Sequence, residues 1–296
     1  MYMIQDSEKK SGLVIRSIGG LYTVESPDGL YECKPRGVFR KNGQTVYVGD
    51  NVFFSGENII TEILPRKNFI IRPPLANLDQ LFFIVSVCEP SPNLTLLDKF
   101  IAIAEYKKIK PVVVITKVDL DIYENIYNIY SGAGIEVRVI DYNDKSSVTS
   151  LYDEMKDKIS AFTGNTGAGK STLLNAIDSG LNLATGEISK KLGRGRHTTR
   201  HAQLYKLENK GYIADTPGFS TFETNKYDII KKDELSSCFT EFRDFAQKCR
   251  FKDCSHTKEK GCAVIEAVNA GIISASRHES YCQMYEEAKN IKDWEL

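Results

Sequence analysis

A chain of 296 residues is too long for one small module and fits two domains, or three if one is small. Hydrophobic residues at 42% and charged residues at 26% make an ordinary globular composition, which excludes a mainly disordered chain. Lysine plus arginine (39) balances aspartate plus glutamate (39), so attraction to nucleic acid or anionic lipid must come from a local patch rather than net charge.

The first twenty residues lack an apolar leader core, and the longest nearly pure apolar run, residues 81–88, is far below the roughly 18 residues needed to span a bilayer. The expectation is a soluble, cytoplasmic chain with no membrane partner. Without a secretion signal, seven cysteines do not read as a disulfide framework. Three of them, Cys249, Cys254 and Cys262, crowd together and point to a metal.

In chain order, β-type runs occupy residues 13–17, 21–25, 30–34, 46–54 and 59–64, with turn or bulge signals at Gly19-Gly20, Pro27-Asp28-Gly29, Asn42-Gly43, Gly49-Asp50 and Gly56. Five short strands without a helical period predict a small closed barrel of the OB type, a design that often binds oligonucleotides. Arg36, Arg40 and Lys41 fall in the loop after the third run, placed either for phosphate or for solvent. Arg72-Pro73-Pro74 is the linker signal, because paired prolines stiffen the chain and end regular structure.

Beyond the linker, apolar strand runs at 80–87, 111–115, 136–140, 160–163 and 212–214 alternate with helical text such as Leu96, Leu97, Phe100, Ile101, Ile103 and Ala104. This predicts an α/β domain with a mostly parallel sheet covered on both faces. After Phe222 the strand signals stop, and charged helical sequence with clustered cysteines runs to Leu296. The expected division is a barrel at 1–71, an α/β domain at 72–222 and a small helical, metal-stapled domain at 223–296.

Gly164-Asn165-Thr166-Gly167-Ala168-Gly169-Lys170-Ser171, followed by Thr172, fits the phosphate-loop pattern, with a strand end before it and helical sequence after it. The glycines let backbone N–H groups face phosphate oxygens, the helix N-terminus adds partial positive charge, Lys170 reaches the β and γ phosphates, and Ser171 offers an oxygen to Mg²⁺. Asp215-Thr216-Pro217-Gly218 follows a strand run, so Asp215 can hold the magnesium shell and the Gly218 amide can sense the γ-phosphate. Thr116-Lys117-Val118-Asp119 also ends a strand, where open α/β sheets bind ligands. A carboxylate at Asp119 accepts from both the ring N–H and the exocyclic amine of guanine, which adenine cannot supply there.

Between residues 184 and 206, Lys190, Lys191, Arg194, Arg196, Arg200 and Lys206 stand against one acid, Glu187, a stretch suited to RNA phosphates in one nucleotide state or merely to solvent. Thr199 is the expected second magnesium hydroxyl, with Thr198 as the alternative. Phe219 follows the Asp215-Thr216-Pro217-Gly218 segment and cannot orient a water, and His197 is the nearest polar candidate for that role, unless it only meets RNA or solvent. Cys249-x₄-Cys254-x-His256-x₅-Cys262 offers three thiolates and one imidazole, a closed tetrahedral zinc set. Cys238, Cys282 and His278 remain as substitutes.

These elements resemble the G-protein superfamily, but in the order base, phosphate loop, switch I, switch II, which is that of a circularly permuted GTPase. The barrel in first place, Ile71-Arg72-Pro73 with Asn77-Leu78-Asp79-Gln80, the segment Leu192-Gly193-Arg194-Gly195-Arg196-His197-Thr198-Thr199, and the tail from Cys249 to Tyr281 resemble the RsgA family of ribosome small-subunit-dependent GTPases. The resemblance implies hydrolysis of GTP with Mg²⁺, one structural zinc, His197 as the catalytic histidine beside Lys170, and the small ribosomal subunit with its rRNA as partner of a monomer. The competing function is a GTP-dependent switch on some other structured RNA, with hydrolysis incidental. Two departures stand out. Thr116 replaces the usual asparagine, shortening a bridge to the phosphate loop, and Ile140-Asp141-Tyr142 stands where a guanine-backing Ser-Ala is expected.

Overall fold

The computed structural model describes residues 9–71, 73–178, 202–215 and 229–291. The N-terminal elements are β1 (Lys10–Ile18), β2 (Leu21–Ser26), β3 (Gly29–Pro35), α1 (Gly37–Lys41), β4 (Asn51–Phe54) and β5 (Ile59–Ile63). β1, β2 and β3 form an antiparallel meander, β3 runs parallel to β5, and β4 pairs with both β5 and β1, which closes the barrel. Alternate residues fill its interior: Val14, Val24, Cys33, Val52, Phe54 and Ile60 are all fully buried.

The predicted fourth strand is shorter than its apolar run. Gly49 sits at φ +95°, and a Cβ there would lie 2.1 Å from the Ala76 carbonyl oxygen. The next residue, Asp50, is fully buried and turns its carboxylate to the Tyr47 amide and the Arg66 guanidinium. Residues 46–50 therefore make a tight corner, and the strand begins at Asn51. The loop after β3 is also more ordered than expected, since α1 buries Phe39 and leaves Arg40 and Lys41 exposed. The linker region is held as well, by β6 (Phe69–Ile70) paired with β7 (Leu75–Ala76). Asn68 bonds the Leu78 backbone twice, and Asn77 joins the Lys67 amide to the Gly49 carbonyl.

Strands and helices then alternate: β8 (Gln80–Ser86), α2 (Leu94–Tyr106), β9 (Lys110–Thr116), α3 (Glu124–Gly132), β10 (Glu136–Val139), α4 (Lys145–Glu154), β11 (Ile159–Gly164) and α5 (Lys170–Ile177). β8, β9 and β10 are parallel, in register at Ile84, Val114 and Arg138. Every residue of β8 is buried, as a strand covered on both faces requires. The hairpin of β12 (Gln203–Lys206) and β13 (Tyr212–Asp215) follows, then α6 (Lys232–Leu235), α7 (Arg243–Ala246), α8 (Ala263–Asn269) and α9 (Ala275–Lys289). Among the described residues no helix is long and apolar enough to cross a membrane.

Two compact units result. One gathers Met1–Asp79, Met155–Phe162 and Ala184–Phe219; the other gathers Gln80–Glu154, Thr163–Leu183 and Ser220–Leu296. In the first, β12 extends the barrel by pairing with β1, and β13 runs parallel to the start of β11, Ala214 against Ala161. In the second, the C-terminal helices share a core with α2, in which Ala102 and Ile103 pack with Phe239, Phe242, Val264, Tyr281 and Met284.

Candidate nucleotide site and metal centre

The phosphate loop is built from glycine geometry. Gly164 ends β11, and a Cβ on it would lie 2.5 Å from the Ile84 carbonyl oxygen, so no larger residue lets the chain turn there. Gly167 and Gly169 adopt φ +85° and +90°, the left-handed region that favours glycine. Between them Asn165, Thr166 and Ala168 carry the turn, closed by the Ala168 amide donating to the Asn165 carbonyl at 3.0 Å. Gly169 caps α5, whose first residues are Lys170, Ser171 and Thr172. The first-turn amides of a helix point toward its N-terminal end, a geometry that suits an anion.

β9 brings the second segment to the first. The buried Thr116 hydroxyl donates to the Ala168 carbonyl at 2.7 Å, so the shorter side chain does reach from residues 116–119 to the loop at 164–172. Lys117 takes φ +59° and its ammonium donates to the Glu89 carbonyl. The Leu120 amide donates to the Lys117 carbonyl at 3.0 Å, which folds Val118 into the turn and leaves Asp119 exposed at the carboxyl end of β9. The neighbouring strand ends alongside, with the Ile140 amide bonded to the Ile115 carbonyl. Thus 116–119 and 164–172, distant in sequence, meet at one strand end.

Asp215 ends β13, paired across the hairpin with Gln203. His197, Thr198, Thr199, Gly218 and Phe219 lie outside the described residues.

The metal set assembles within a second cluster, where the ligand atoms of Cys249, Cys254, His256 and Cys262 all lie within 4.8 Å of one another. The Sγ atoms of Cys249 and Cys262 are 3.8 Å apart, and each is 3.5 Å from His256 Nδ1. A tetrahedral zinc with Zn–S about 2.3 Å and Zn–N about 2.0–2.1 Å requires edges of about 3.8 and 3.5 Å, so the residues fit the ion. Burial pushes the Cys254 thiol up to about 12 and lowers the His256 pKa. A divalent cation at the centre would supply the charge that makes thiolates stable there.

Of the substitute ligands, none joins this group. His278 Nε2 bonds the His256 carbonyl at 2.7 Å, Cys282 faces His278, and Cys238 bonds the Glu234 carbonyl, its thiol raised by burial to about 11. Tyr281 donates to the Ser255 carbonyl at 2.8 Å, so α9 braces the ligand loop.

One constellation escaped the sequence reading. Arg277, 1% exposed, pairs with Asp98 at 2.8 Å and with Glu241 at 2.8 Å, and Tyr130 donates to Asp98 at 3.0 Å. A carboxylate inside the apolar face of α2 was the available signal.

A parallel-strand phosphate-loop site whose base segment precedes the loop in the chain defines a circularly permuted GTPase, an enzyme that hydrolyses GTP. Residues 63–225 match the family model of the RsgA GTPase and residues 11–60 that of the RsgA N-terminal domain, and the chain belongs to the RsgA GTPase family. It is 43% identical over 289 residues to a small ribosomal subunit biogenesis GTPase RsgA from Caldanaerobacter subterraneus, covering 95% of this chain and 97% of that one. The protein of the same name from Streptococcus pyogenes is 46% identical over 287 residues, covering 95% and 96%. The crystal structure of YjeQ from Thermotoga maritima superposes with TM-score 0.81 at 36% identity, over 96% of this chain and all of that one. That of YloQ, described as a circularly permuted GTPase, gives 0.78 at 32% identity, over 99% of each.

Proposed function

We propose that this GTPase uses its cycle to time binding to, and release from, the small ribosomal subunit during late assembly, as a cytoplasmic monomer. The observation that carries the reading is end-to-end similarity, at 41 to 46% identity, to proteins named for small ribosomal subunit biogenesis. In this reading residues 1–71 are the RNA-facing barrel, 72–222 the GTPase domain and 223–296 the zinc domain.

The roles follow from the chemistry of each group. Asp119 accepts the two guanine donors, and Thr116, tied to Ala168, holds base and phosphate readers at a fixed spacing. The amides of 164–172 bind phosphate oxygens, and Lys170 offsets charge that develops between the β and γ phosphates. Ser171 at the first turn of α5 offers a hard oxygen suited to Mg²⁺, and Thr199 and Asp215 complete the proposed set. When bound, Mg²⁺ neutralises phosphate charge. Gly218 senses the γ-phosphate, and His197 orients the attacking water in place of the glutamine that Phe219 replaces. Cys249, Cys254, His256 and Cys262 hold one structural Zn²⁺.

The test is GTP turnover with purified small subunits, transfer RNA and a naked RNA duplex. Stimulation by small subunits alone is expected. Equal stimulation by all three overturns the ribosomal assignment in favour of a general RNA switch.

A further inference from the structure

Lys206, counted by sequence among the basic residues that meet RNA, is committed elsewhere. Its ammonium lies 2.6 Å from Glu25 Oε1 on β2, and Glu25 Oε2 accepts from the Tyr212 hydroxyl, also at 2.6 Å. Lys206 and Tyr212 form one cross-strand pair of the β12–β13 hairpin, so a single barrel carboxylate grips both strands. The backbone pairing between barrel and hairpin is registered at Arg16 against Gln203, at the other end of β12, three residues or about 10 Å away. Two ties that far apart fix an orientation where one leaves a pivot. The end of the hairpin at Gln203 and Asp215 leads, in sequence, to the basic segment before residue 202 and to Thr216-Pro217-Gly218. Those are the segments to which the proposed function gives nucleotide-dependent contacts.

We propose that Glu25 is a coupling residue: through Lys206 and Tyr212 it ties the barrel to the hairpin that joins these segments, so that RNA docking on the barrel changes the rate of GTP hydrolysis. This rests on the reading of the chain as a small-subunit GTPase. The Lys206 side chain is 52% exposed and that of Glu25 20%, and a pair open to solvent on its lysine side adds little to stability, so its role is geometric. Burial and the Glu25 carboxylate push the Tyr212 hydroxyl up to about 12, so it remains a donor through the neutral pH range. Polar networks of this kind carry coupling between sites when they have two arrangements.

The experiment measures GTP turnover of the full chain, with and without purified small subunits, for wild type, Glu25→Gln, Glu25→Ala and Tyr212→Phe. The barrel-surface variant Glu62→Gln, which loses only its pair with Lys9, is the control. Unstimulated kcat and KM for GTP are expected to stay within about twofold, while stimulation falls at least about fivefold in Glu25→Ala, the low end of usual coupling. Smaller losses are expected in Glu25→Gln and Tyr212→Phe, none in Glu62→Gln, and the exchanged pair Glu25→Lys with Lys206→Glu should recover part of the stimulation. Full stimulation in a Glu25→Ala that melts like wild type overturns the coupling role alone. If Glu25→Ala does not fold, full stimulation in both Glu25→Gln and Tyr212→Phe overturns it. A wild type that small subunits do not stimulate overturns the proposed function and the coupling with it.

Discussion

The barrel is tied to the β12–β13 hairpin by a partly exposed carboxylate and a short strand pairing, whereas the C-terminal helices are tied to α2 by a buried arginine and a shared apolar core. In the second joint, Arg277, Asp98 and Glu241 are almost fully withdrawn from water. Burial opposes the charge of Arg277, yet Glu241 and Asp98 hold its guanidinium protonated beyond its usual range. Breaking such a pair leaves an uncompensated buried charge; breaking the Glu25 pair returns both partners to water. The C-terminal helices therefore behave as part of the α2 layer, and the barrel joint is the adjustable one.

The largest effect expected from testing that contrast is loss of the proposed zinc. A structural zinc contributes on the order of 10 kcal/mol to the fold it organises, and Cys254→Ser removes one of four ligands. Sequence alone suggests that everything beyond about residue 223 unfolds without zinc. The core shared with α2 limits the damage to the ligand loop at 249–262, leaving α9 docked. Metal analysis should give about one zinc per wild-type chain and less in the variant. Limited proteolysis should cut within the loop first; cleavage throughout α9 would show that the shared core holds nothing by itself.

Next in size, Arg277→Met should cost about 3–5 kcal/mol in chemical denaturation, because Asp98 and Glu241 lose their countercharge. Among the described residues Asp98 Oδ2 has no hydrogen-bond partner, which sharpens the penalty. A loss below about 1 kcal/mol would place this joint in the same class as the barrel's. The smallest effect belongs to Glu25→Gln, at most about 1 kcal/mol, and it should depend on pH. Although partial burial opposes it, hydrogen bonds from Lys206 and Tyr212 hold the Glu25 carboxyl below its ordinary 4.5. A lowered native pKa gives stabilisation that is present above 4.5 and lost as pH falls through the native value. The stability gap between wild type and Glu25→Gln should close in acid and persist at neutral pH.

What sequence conveys here follows the range of the interactions. The strand–turn–helix around residues 164–172 and the clustering of Cys249, Cys254, His256 and Cys262 were legible because each is a local spacing that needs no distant partner. The corner at Gly49 and Asp50 was not, since it depends on the backbone at Ala76 and on Arg66. Thr116 showed its departure from asparagine in sequence, but only the 2.7 Å approach to the Ala168 carbonyl shows that the bridge survives. Lys206 was grouped with RNA-facing cations because composition cannot reveal a carboxylate 181 residues away. Arg277 was hidden for the same reason, its partner Asp98 lying 179 residues back in the chain.

In the proposed function residues 116–119 and 164–172 hold one guanine nucleotide despite their permuted order. Nucleotide preference in Asp119→Asn tests it most directly, because xanthine carries an oxygen where guanine has its amine. Competition measurements should show preference passing from GTP to XTP, with XTP hydrolysis lost again, by about a hundredfold, when Lys170→Ala is added. An Asp119→Asn protein that keeps full preference for GTP would contradict the assignment of the base-reading segment.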